Sequence, residues 1–296
     1  MTANVFHTLL RIGAACAIGF ASLNAAADDP AGLRARYTEL REQLEHNIYQ
    51  RALFIDSTQL GDNLKGDVYA VLEHPFSQVG GELKDPDNWC DILILPFNTK
   101  YCRATKSGAG AALNVRIGRK FDQPVQDAYK LQFAYQPVAA SQEYFESRLA
   151  AKEGPVGTRD YHITIAAVPL DDKRTFMHLS YAYGYGVTGR MAMQMYLATV
   201  GADKVGFSVT GKDANGQPIY MGGVRGAVER NAMRYYLAID AYLDSLSVPA
   251  SQQVERRIQG WFNATERYPR QLREMDRPAY VAMKRNEVER QQNLIQ

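Results

Sequence analysis

Apolar positions follow three successive periods along the chain. Leu33, Tyr37, Leu40, Leu44, Ile48 and Leu53 recur every three or four residues, which predicts a helix over 33–54. A short β-rich run over 68–72 stops at Glu73-His74-Pro75. Residues 75–83 read as a helix with proline in its first turn. Asp85-Pro86-Asp87-Asn88 is a turn and N-cap cluster ahead of a second short helix over 89–95. From Thr99 the period changes to two, predicting strands over 100–106, 112–120, 130–137, 144–152, 160–168 and 175–186. Consecutive strands without intervening helices argue for an antiparallel sheet. Beyond Gly186 the pattern is helical again through Met191, Met195, Tyr196 and Ala198, followed by a strand over 205–210. The longest amphipathic helix is expected over 224–246, with Val224, Val228, Ala232, Tyr235, Ile239, Tyr242, Leu243 and Leu246 on one stripe. Pro249 ends it, and further helices are expected over 254–268 and 279–293.

The first thirty residues change where this fold is expected to work. A short segment ending at Arg11, an apolar stretch over 12–23 and an Ala25-Ala26-Ala27 cleavage site make a secretory signal over 1–27. The stretch is about half of the ~20 residues a spanning helix needs, and no later run reaches that length. The expectation is therefore a periplasmic or secreted protein, cleaved near Ala27, with no integral membrane span. Lys and Arg number 34 against 32 Asp and Glu, a balance that gives no footprint for nucleic acid. Cys90 and Cys102 lie downstream of the signal. In an exported chain such a pair is expected as a disulfide closing a loop of about a dozen residues, against the alternative of two buried thiols. No zinc spacing, Gly-x-Ser-x-Gly elbow or dinucleotide fingerprint occurs, so neither metal nor cofactor is expected.

The order of elements is helix, strand, two short helices, an antiparallel block and a long helix. It resembles the helix-grip superfamily of START lipid-transfer domains, birch-pollen-allergen proteins and polyketide cyclases. Val68-Tyr69-Ala70-Val71-Leu72-Glu73-His74-Pro75-Phe76, followed by Asp87-Asn88-Trp89-Cys90-Asp91-Ile92-Leu93, is similar to a first strand and the two capping helices. Gly157-Thr158-Arg159-Asp160-Tyr161-His162-Ile163-Thr164-Ile165 with Thr175-Phe176-Met177-His178-Leu179-Ser180 is similar to a late hairpin of that fold. The resemblance implies an α+β fold in which a curled antiparallel sheet grips a long C-terminal helix, with extra helices at both ends. It also implies an apolar ligand such as a lipid, sterol or polycyclic molecule. The chain departs from the pattern at 187–223 and after Pro249. The expected organisation is a signal over 1–27, a helical segment over 28–64, a ligand-binding domain over 65–248 and a helical extension over 249–296.

Candidate ligand contacts follow from this arrangement. Tyr181, Tyr183 and Tyr185 alternate along one strand, so they share a face and offer hydroxyls on an apolar wall. The alternative is ordinary tyrosine packing. On the long helix, Arg225, Glu229 and Arg234 with Tyr235 are the candidates to meet a ligand's polar end, against the alternative of a solvated face with local ion pairs. Met191, Met193 and Met195 would suit a pliable apolar wall. His162 and His178 lie on strands expected to be partners, and they are the residues a catalytic reading would need. The reading favoured is a protein that binds or shuttles a hydrophobic small molecule, most simply a lipid. Its rivals are an enzyme on the same scaffold and an interaction protein acting through its charged C-terminal helix.

Overall fold

The computed structural model describes residues 29–293 except 109 and 200, so the expected signal over 1–27 lies outside the described residues. Helix α1 (Pro30–Glu45) is capped by Asp29, whose carboxylate accepts from the Gly32 amide at 2.6 Å. It ends nine residues before the periodicity suggested. Asn47 stops it by donating to the Gln43 and Leu44 carbonyls, and 53–60 then forms a strand instead.

That strand, β1 (Leu53–Leu60), pairs with β2 (Asn63–Leu72) as a hairpin. Two short helices follow, α2 (Phe76–Leu83) and α3 (Pro86–Leu93), then β3 (Thr99–Ser107), β4 (Gly110–Ile117), β5 (Tyr129–Ala140), β6 (Phe145–Glu153), β7 (Thr158–Pro169) and β8 (Thr175–Tyr185). The eight strands form one curled antiparallel sheet in the order β1-β2-β8-β7-β6-β5-β4-β3. Helix α4 (Val187–Ala198) and the hairpin β9 (Val209–Lys212) and β10 (Pro218–Tyr220) occupy the departure expected at 187–223. The long helix α5 (Gly223–Ser245) then lies against β1, β2 and β8, giving the α+β grip that the resemblance implies. Helices α6 (Ala250–Glu266), α7 (Pro269–Leu272) and α8 (Arg277–Asn293) complete the chain.

Strand alternation sorts the two faces of the sheet. Val68, Ala70, Leu131, Phe133, Leu149, Ile163, Ile165, Leu179 and the tyrosines at 181, 183 and 185 point to the concave side and join one continuous core. Tyr69, Ala166, Val168 and Phe176 point to the convex side, where Leu33, Leu40 and Leu44 of α1 cover them. Helix α5 approaches β2 at Gly66, where an added Cβ would stand 3.2 Å from the Val228 carbonyl oxygen and 3.3 Å from Ala232 Cβ.

The segment 249–293 is part of the same core. Trp261 donates to the Arg234 carbonyl at 3.1 Å, and Phe97, Trp261 and Tyr280 pack ring against ring. Lys100 and Lys284, both fully buried, share the Glu287 carboxylate at 2.9 and 2.6 Å. The disulfide joins Cys90 on α3 to Cys102 on β3. Among the described residues, no helix is long and apolar enough to cross a membrane.

Candidate ligand-binding site

Concave-face aromatics and α5 meet at the centre of the molecule. Tyr161 and Tyr183 stack at 5.4 Å, Tyr181 lies 5.6 Å from Tyr183, and Tyr235 of α5 closes on Tyr181 at 5.2 Å. Tyr161 is turned by its hydroxyl, which donates to Thr158 Oγ1 at 2.8 Å. The Tyr181 hydroxyl lies beside Asn231. The hydroxyls of Tyr183 and Tyr235 form no hydrogen bond among the described residues, yet they are not closed off. Asn231 and Tyr235 are half-buried, whereas Tyr181 and Tyr183 are buried. Burial raises the pKa of each of these phenols, so all are neutral donors at neutral pH.

Charge gathers beside this aromatic cluster. Arg230, 1% exposed, donates to the Val205 carbonyl and the Tyr196 hydroxyl, both at 3.2 Å. It has no carboxylate within ion-pair distance among the described residues. One turn along α5, Arg234 reaches Glu274 at 2.6 Å and Asn231 at 3.2 Å, while its Nε is buried without an acceptor. Lys120, from the β4–β5 connection, shares Glu274 at 2.7 Å and lies over the Tyr196 ring. Lys204 belongs to the same field. Burial lowers the Arg234 pKa, and Arg230 lowers it further against the pull of Glu274. Lys120 is lowered by burial and then by Arg234. Burial would raise Glu274, but Arg234 and Lys120 outweigh it and hold its carboxyl below the usual range.

The expected contacts divide around this centre. Tyr181, Tyr183, Arg234 and Tyr235 come together. Tyr185 lies at the rim, where its hydroxyl accepts from Gln59 at 3.4 Å and it borders a cleft of about 450 Å³ with Met193 and Arg190. Arg225 and Glu229 turn the other way, toward β1. Arg225 Nε donates to Ser57 Oγ at 3.1 Å, and Ser57 donates to Glu229 at 2.6 Å. The second Glu229 oxygen takes the Phe207 and Ser208 amides at 2.6 and 2.9 Å. Both oxygens are thereby engaged by protein. Met193 is half-buried, but Met191 and Met195 are 65% and 70% exposed, because the helix turns them to its outer side.

The histidines do not converge. His178 binds Asp67 at 2.7 Å and stacks on Tyr69 on the convex face, while His162 is exposed. No cluster of three or more potential metal ligands occurs among the described residues. Lys120, Tyr196, Lys204 and Glu274 carry no sequence signal, since each comes from a different helix or connection, whereas Arg230 stands one turn before Arg234 on the same helix.

No family description matches the chain, and neither does any curated protein. Solved structures with a similar chain course include a conserved protein from Geobacillus kaustophilus, 12% identical over 61% of this chain and 95% of that one, with a TM-score of 0.36. Norcoclaurine synthase from Thalictrum flavum, in a mutant complex with a transition-state analogue, is 13% identical over 50% and 84% of the two chains, with a TM-score of 0.32. A Streptomyces aromatase/cyclase is 11% identical over 73% and 96%, with a TM-score of 0.33. The activities in those names belong to those proteins.

Proposed function

We propose that this protein works outside the cytoplasm, where it binds or shuttles a hydrophobic small molecule, most simply a lipid, held between the tyrosine face of the sheet and α5. One observation carries the reading. The Tyr183 and Tyr235 hydroxyls sit in a cluster of aromatic rings between sheet and α5 and form no hydrogen bond among the described residues. Accessible phenolic hydroxyls on an apolar wall, with no protein partner, are placed to orient the polar end of an apolar guest. The test is to extract purified protein, lacking residues 1–27, with organic solvent and to analyse the extract by mass spectrometry. A stoichiometric lipid is expected, together with a rise in melting temperature when the emptied protein is reloaded. An empty extract and no thermal response to a panel of lipids would sink the reading.

A further inference from the structure

Taking the ligand reading as its basis, we propose that Arg230 and Arg234 receive an anionic group, carboxylate or phosphate, carried by the apolar guest. A buried guanidinium is stable only when its charge is met. Arg234 shares Glu274 with Lys120, and Arg230 reaches nothing but a backbone carbonyl and a phenol. Three cations, Arg234, Lys120 and Lys204, gather around the carboxylate of Glu274, and Arg230 adds a fourth charge beside Arg234 and Lys120. The surplus lies near the middle of α5, next to Tyr235, and Arg230 acts electrostatically on Tyr183. An anion seated there meets the unpartnered Nε of Arg234, the uncompensated charge of Arg230 and neutral phenolic donors, while its apolar chain runs along Phe133, Tyr161 and Ile163. The ammonium of Lys120 would lie toward the opening of such a seat, since its side chain is 35% exposed.

The experiment compares four probes on the delipidated protein by calorimetry: oleate, oleoyl lysophosphatidate, neutral oleyl alcohol and inorganic phosphate. At least one anionic amphiphile is expected to bind roughly tenfold or more tighter than the alcohol. Arg230→Met should erase that preference while leaving alcohol binding in place. Arg230→Lys, which keeps the charge and loses the fork, should retain a reduced preference and serves should Arg230→Met not fold. A larger gain for oleate identifies a carboxylate, and a larger gain for lysophosphatidate a phosphate. Equal binding of the alcohol and both anions overturns this inference and leaves the apolar-ligand reading standing. Phosphate binding without any amphiphile supports the anion seat and overturns the apolar guest. Binding of none of the four overturns both.

Discussion

A buried carboxylate with both oxygens occupied is a structural clasp, and Glu229 has that role. It ties β1, through Ser57, to the loop that carries Phe207 and Ser208. Glu229→Ala would strand two amides and a hydroxyl, at a cost on the order of 3 kcal/mol, measurable as a lower urea midpoint. Lys284 gives a different signature. Burial brings its pKa from 10.5 down to about 8, with Lys100 and Arg290 acting in the same sense and Glu287 opposing. Between those two values the unfolded chain holds a proton that the folded one lacks, so stability from this group rises with pH across that window. The urea midpoint should therefore climb less between pH 8 and 10 in Lys284→Met than in the parent, and identical slopes would contradict this assignment.

Two contacts between elements set how firmly the core holds together. Replacing Cys90 and Cys102 together by alanine releases α3 from β3 and should cost ~2–4 kcal/mol, seen as a midpoint shift that reductant reproduces in the parent. Gly66→Leu would force α5 away from β2, costing about 1–3 kcal/mol. Because α5 carries Arg230 and Tyr235, the same variant should also weaken any guest. The sheet was legible because alternation from Thr99 onward is written locally, and the long stripe of α5 is equally local. The first strand was not legible. Leu53 to Leu60 alternates, but it continues the helical spacing of Leu44 and Ile48, and only the Asn47 side chain separates the two periods. The tyrosine ladder followed from period two, whereas the Glu274 and Lys120 pairing to α5 rests on contacts far apart in sequence.

The charged C-terminal segment, which a rival reading of the sequence made a surface for a partner, packs one face into the core. Tyr280, Met283, Lys284 and Glu287 are buried, and Gln291 accepts from the Cys102 amide at 3.0 Å. Removing residues 277–296 should expose Phe97 and Trp261 and leave Lys100 without its carboxylate. The outcome expected is loss of cooperative thermal unfolding, with dye binding to the exposed core. A truncated protein that melts as the parent does would restore the view of a free tail.

The pairing of β2 with β8 also carries a kinetic consequence. Asn63 faces Gly184 across the sheet, so the hairpin made early in the chain waits for the last large strand before it has a neighbour. Strands β3 to β8 join sequential neighbours and can zip by local steps, while this seam must close a long loop. Within the sheet α5 packs on β2 with β1 and β8 beside it, so its full platform exists only once the seam forms. Refolding should show sheet signal ahead of the burial of Tyr235, with the interval governed by the meeting of two distant stretches of chain.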